Sequence, residues 1–228
     1  MTSGTPAPRR SRRERPAKPA LTLDGIVAAA VALMRSEGLS RVTMRRLAQE
    51  LDTGPASLYV YLAGTAELHA AILEELLGEV DLAPVTASGD WRERLADVLG
   101  SYTRVLFEYP GLAHSALVAR PAGPHYLALV EAVLDLLHRG GVPDGQAAWG
   151  VDLLLQVATA TAAEQSTRDG DPTAEQEHHA LVDALHRVTA QTHPRIAALG
   201  PDLVSGAPEQ RLAWMFRAVI NGAGATPR

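Results

Sequence analysis

The stretch Thr43–Tyr61, TMRRLAQELDTGPASLYVY, decides how this chain folds. Thr43 carries the hydroxyl of an N-cap, able to accept a bond from an otherwise unpaired amide of the first turn. Met44, Leu47, Ala48 and Leu51 follow at i, i+3, i+4 and i+7, which builds one apolar face of a helix. Asp52-Thr53-Gly54 interrupts that pattern. Pro55 restarts it, because a missing N–H is harmless at the first helical position. Leu58 and Leu62 give the second helix its buried edge, and Ser57, Tyr59 and Tyr61 give it a face of hydrogen-bond donors. The small side chain of Ala48 lets the two helices cross closely. Two short helices across a tight turn form a helix-turn-helix, an arrangement that presents one helix to a DNA major groove.

Helical patterning continues outward on both sides. Thr22 and Asp24 mark a start, Leu23, Ile26, Val27, Ala30, Val31 and Met34 follow at helical spacing, and Gly38 closes the segment. Gly64 to Val80 reads as a bridging helix with a stripe of Leu68, Ala71, Ile72, Glu75, Leu76 and Val80. Asp81 to Asp90 has the composition of a linker. Further helices are expected over Trp91–Tyr109, Gly111–Arg120, His125–Arg139, Asp144 to about Gln165, Thr173 to about Thr192, and Pro208 to about Gly222. Asp144 is a candidate cap, and His193–Ala207 reads as a loop. No strand alternation of useful length appears. The expected fold is all-α: a three-helix DNA-binding unit over 21–67, joined by the bridging helix to a C-terminal ligand-binding and dimerisation domain over 68–228. Residues 1–20, rich in Pro and Arg, read as a disordered arm. Two readings of that arm stay open, a plain flexible terminus and an extension that follows a DNA groove.

Composition narrows the function. There is no cysteine, which excludes disulfides, thiolate zinc sites and a cysteine nucleophile. The net charge of −5 conceals an asymmetry. Residues 1–62 hold ten Arg/Lys against five Asp/Glu, and residues 63–228 hold eleven against twenty-one. A basic front on an acidic body fits one end meeting a polyanion. No signal peptide or membrane span is visible, so a cytoplasmic protein without membrane partners is expected. Nucleophile elbow, phosphate-binding glycine loop and zinc-helix signature are all absent, so neither an enzyme nor a cofactor is expected. His178-His179 reads as solvated surface; Glu175 and His179 stand four apart, but two ligands do not make a metal site.

The candidate ligand site lies in the C-terminal half. Asp152, Gln156 and Thr159 follow one face of a long, largely apolar helix, with Tyr102, Arg104 and Phe107 as facing residues. His114 and Trp149 are further candidates. Buried polar groups there need partners, which a ligand or a neighbouring helix supplies. The opposite face, with Leu153, Val157 and Ala160, suits a dimer seam. Trp91 and Trp214 read as packing anchors.

Leu47-Ala48-Gln49, Leu51, Leu58-Tyr59, Tyr61, Glu67-Leu68 and the preceding Gly38-Leu39 together resemble the tetracycline-repressor (TetR) family over Leu23–Leu77. The tail PRIAALGPDLVSG and the Arg/Trp-bearing helix after it are similar in a looser way. The resemblance implies an all-helical homodimer that holds a double-stranded operator until a small-molecule effector binds the C-terminal domain. It puts Pro55, Ala56, Ser57 and Tyr61 at base-facing positions, Tyr59 at a phosphate contact, and Thr43 and Arg45 at the end of a helix near the backbone, where the arginine can reach a guanine. Asp52 stands where the family has a turn glycine, Gly54 where it has a hydroxyl cap, and Thr65 where it has a phosphate-gripping lysine. These departures keep two rivals open: a helical small-molecule-binding protein or enzyme whose helix-turn-helix no longer binds DNA, and a sequence-tolerant architectural DNA binder.

Overall fold

The computed structural model describes residues 20–119 and 121–228, so the expectations for the basic arm lie almost wholly outside the described residues. The described residues form helices and no strands, as the all-α reading expects. In chain order they are α1 Leu23–Glu37, α2 Met44–Glu50, α3 Pro55–Leu58, α4 Thr65–Leu77, α5 Trp91–Glu108, α6 Pro110–Val118, α7 Pro124–Arg139, α8 Asp144–Gly170, α9 Ala174–Arg187, α10 Pro194–Leu203 and α11 Pro208–Ala225. Short 3-10 turns occupy Leu39–Arg41 and Ala83–Val85.

Local chemistry sets the first boundaries. Thr43 Oγ1 accepts from the Arg46 amide at 3.1 Å, so the expected cap forms, and Thr22, one of the two residues marking the start of α1, caps it by accepting from the Gly25 amide at 3.1 Å. Asp52 enters the left-handed region at φ 47°, as its place in the turn requires. α3 has only four residues, too few to persist on helix propensity. Packing holds it: Leu58 and Leu62 are buried in the same core as Ile26, Ala30, Leu47 and Leu68, and α3 packs on α2. Full burial of such a side chain contributes about 1.5–3 kcal/mol.

The C-terminal half is a bundle of α5, α6, α7, α8 and α11 around Leu95, Leu99, Leu106, Leu112, Val133, Leu136, Leu154, Ala158, Phe216 and Ile220. α9 buries none of its residues and packs chiefly on α10.

Several boundaries differ from expectation for identifiable reasons. Pro110 starts α6 as well as ending α5, since its ring suits a first helical position. Pro194 does the same for α10, a helix within the segment expected to be a loop. Asp144 lies inside the first turn of α8 and makes no side-chain cap. α8 also runs past Gln165 to Gly170, because Ser166 and Thr167 bond to α6. Glu75, expected in the buried stripe of α4, is exposed; Leu73 and Leu77 are buried instead. Trp91 packs as an anchor, its ring occupying the space a Cβ on Gly140 would need. Trp214 does not: it is 67% exposed on α11.

Candidate functional site

α2 and α3 meet through Leu47, Ala48 and Leu58, and this corner turns the remaining side chains of α3 outward. Pro55, Ala56 and Ser57 are exposed, and Tyr59 is 55% exposed on the turn that follows. Val60, which the sequence reading passed over, is 81% exposed beside Tyr59. Its position between two tyrosines was the available signal, and an apolar tip there suits a thymine methyl. Thr65 is exposed at the start of α4.

Tyr61 differs from its neighbours. Its hydroxyl donates to the Leu21 carbonyl at 2.6 Å, so it braces the entry of α1 against the reader. Two adjacent arginines also separate. Arg46 bonds Glu37 at 2.6 Å and Glu50 at 2.9 Å, and its hydrogen bond holds the Glu37 carboxyl below the usual carboxylate range. Arg45 is exposed and makes no ion pair among the described residues. Of the two, Arg45 is the guanidinium left to meet a polyanion.

The reader is joined to the bundle at several points. Arg35 of α1 pairs with Glu79 and donates from Nε to the Tyr109 hydroxyl at 3.2 Å. His69 of α4 meets Ser115 of α6 at 3.1 Å, and burial pushes the His69 imidazole below its usual range. Glu74 of α4 reaches the first turn of α7.

Of the eight residues expected to line a ligand cavity, the structure brings together Tyr102 and Thr159. Both are buried, with their hydroxyls 2.7 Å apart across α5 and α8. Burial raises the Tyr102 phenol to about 12. Asp152 and Gln156 share roughly the same face of α8 as Thr159 but are exposed. The cause is coverage: α6 bonds to the far half of α8, where Pro110 accepts from Ser166 and His114 meets Thr167. Trp149 is 64% exposed, with the Arg228 guanidinium 4.4 Å from its ring centre. Phe107 is partly exposed, and Arg104 stands at a surface cavity of about 310 Å³ beside Asp81, Asp97 and Ser101. His114 is exposed and bonded to Thr167 at 3.0 Å.

A helix-turn-helix carried by a bridging helix on a helical bundle is the architecture of a DNA-binding regulator, and comparison with known proteins gives its family. Residues 26–72 match "Bacterial regulatory proteins, tetR family", and residues 83–211 match "Tetracyclin repressor-like, C-terminal domain". The chain belongs to the tetR family of bacterial regulatory proteins. It is 60% identical to SCO7704, a candidate transcription regulator of Streptomyces coelicolor, over 92% of this chain and 98% of that one, with a TM-score of 0.77. It is 34% identical to the TetR family protein ActR of Streptomyces coelicolor, in a crystal structure with actinorhodin, over 90% of this chain and 96% of that one, with a TM-score of 0.79. It is also 34% identical to the HTH-type transcriptional repressor DrrR1 of Streptomyces coeruleorubidus, over 58% of this chain and 49% of that protein. The chain spans about half the length of the curated relatives it matches first. Among the described residues no helix is long and apolar enough to cross a membrane.

Proposed function

We propose that the protein is a cytoplasmic, homodimeric transcriptional repressor, without enzymatic activity, that a small molecule releases from its operator. The observation that carries this reading is the outward set Pro55, Ala56, Ser57, Tyr59 and Val60, held on the corner by buried Leu58 and Leu62. Side chains so placed reach base edges and phosphates. Arg45 adds a guanidinium suited to guanine O6 and N7, and the hydroxyls of Thr43, Ser57, Tyr59 and Thr65 suit phosphate. In this reading Tyr61 acts indirectly, by fixing α1.

Exposed Trp149, Leu153, Gln156 and Ala160 form one stripe along α8, and exposed Trp214 stands on the adjoining α11. Large apolar groups facing solvent on a paired-helix surface favour a second copy as the cover. The effector belongs between α5 and α8. Tyr102 and Thr159 supply the polar point of an apolar interior there, so a largely apolar molecule with a hydroxyl or carbonyl group is favoured. ActR in complex with actinorhodin is a family precedent for a bound small molecule. Release requires that the ligand prefer a spacing of the readers that DNA does not; equal affinity for both spacings shifts nothing.

Footprinting of the purified protein on the DNA upstream of its own gene tests this. The expected result is a protected pseudo-palindrome whose half-sites lie about one helical turn apart. Binding that unrelated duplex competes away with equal affinity sinks the reading.

A further inference from the structure

We propose that Glu74 is the coupling residue between the two halves: with His125 it locks the end of α4 to the start of α7 by reciprocal capping, so that the bridging helix and the ligand-holding bundle move as one piece. The inference rests on the regulatory reading above and assigns the contact that transmits it.

The geometry starts from a deficiency in α7. Its N-cap is Gly123, which has no side chain to accept from the first-turn amides, and Pro124 follows at the first helical position. The unpaired donors are therefore the amides of His125 and Tyr126. The Glu74 carboxylate takes both: Oε1 accepts from His125 N at 2.7 Å and Oε2 from Tyr126 N at 3.3 Å. A carboxylate at a helix N-terminus is also favoured by the helix dipole. The cap that most helices carry in their own sequence is supplied here from another element, 51 residues earlier.

The return contact runs the other way. His125 Nδ1 lies 3.0 Å from the main-chain carbonyl of Glu74. A carbonyl only accepts, so the proton sits on Nδ1 and the imidazole satisfies a carbonyl in the last turn of α4. Two glycines make the space. A Cβ built on Gly123 would overlap the Glu74 carboxyl group, and one on Gly78 would lie 3.1 Å from His125 Nε2. Each element thus has a glycine where the other places its capping side chain. α4 is also held to α6 through His69 and Ser115, so the lock fixes the angle of α4 and does not carry the whole attachment.

A local cap and an interdomain lock are separable by experiment. The chain lacks cysteine, so Ala28→Cys on α1 and Glu131→Cys on α7, both at exposed positions, take spin labels cleanly. Doubly labelled chains diluted in unlabelled ones report the reader-to-bundle distance by pulsed electron resonance, with neither DNA nor effector present. Glu74→Ala is expected to broaden that distance distribution and to raise amide exchange at His125 and Tyr126 by about fivefold or more. Adding Gly123→Asp to Glu74→Ala supplies a cap from within α7, in the space the carboxylate vacated. It is expected to restore amide protection and thermal stability while the distances stay broad. Should Glu74→Ala leave the distances as narrow as in the parent, or should the double variant narrow them again, Glu74 is a helix cap and nothing more. A failure to find an operator would undo the regulatory reading and leave these distances unaffected.

Discussion

The hydroxyl of Tyr102 donates to Thr159, because Thr159 has already given its one proton to the Leu155 carbonyl at 2.8 Å. Deprotonation would cost the bundle both a buried charge and this donor. Burial accordingly raises the phenol from its ordinary 10.0 to about 12. Between those two values the unfolded chain holds fewer protons at this site than the folded one, so stability falls as pH rises. Below pH 10 the contribution is intact; near pH 12 it is gone. With no cysteine and a single lysine, Lys18, the other side chains that ionise in this window are Tyr59, Tyr61, Tyr109 and Tyr126, and comparison with a Tyr102 variant subtracts them. Urea midpoints measured from pH 8 to pH 11.5 are expected to drop more steeply for the parent than for Tyr102→Phe. Parallel curves would show that Tyr102 does not carry the alkaline loss. At this scale the sequence is a partial guide. It singled out both Tyr102 and Thr159, yet no local rule separates Arg45 from Arg46. Glu37, nine residues upstream, decides that one is engaged and the other exposed.

The helices of the N-terminal part were legible from their caps, Pro55 and apolar spacing, and those whose limits depend on distant partners were not. α1 to α4 follow from Thr22, Thr43, Pro55 and a steady apolar spacing. α10 was hidden because Pro and Gly read as loop formers, although Pro194 takes a first helical position and Pro201 falls in the last turn. The Glu74 contact is illegible in the same way: on α4 alone the residue reads as part of a solvated face, and its partners lie across the molecule. α8 shows the problem over 27 residues. It is apolar nearly all round, and sequence does not distinguish a side covered by its own subunit from one awaiting a second copy. The structure separates them: Ala158 and Ala162 are buried, while Trp149, Leu153 and Ala160 face out. Ala160→Arg is therefore expected to leave the subunit folded and to halve the mass seen in light scattering. A dimer that persists unchanged places the seam on another surface.

Across the whole molecule the charge is divided by position. The first 62 residues carry a net +5 and the remainder a net −10. The acidic body keeps nonspecific attraction to DNA low, so the grip on phosphate must come from the front. Within the described part of that front the supply is thin. Arg46 and Arg35 are paired with carboxylates, which leaves exposed Arg41 and Arg45, and Thr65 offers a hydroxyl where a lysine would offer a charge. Six further cations, Arg9, Arg10, Arg12, Arg13, Arg15 and Lys18, precede Ala20 with only Glu14 against them. The chain from Ala20 enters α1 where Tyr61 holds Leu21, so the point at which the basic segment joins the described residues is next to the reader. Each phosphate neutralised changes the slope of log affinity against log salt by about 0.9. Deleting residues 1–19 is expected to flatten that slope by about 2 or more and to weaken binding most at low salt. The preferred sequence should stay the same, because phosphate contacts position a protein and base contacts specify it. Titrations from 50 to 300 mM salt on one operator fragment measure the slope directly. If deletion leaves it unchanged, the arm's charge serves another purpose, and Arg41 and Arg45 with the hydroxyls of α2 to α4 must hold the backbone without help from the arm.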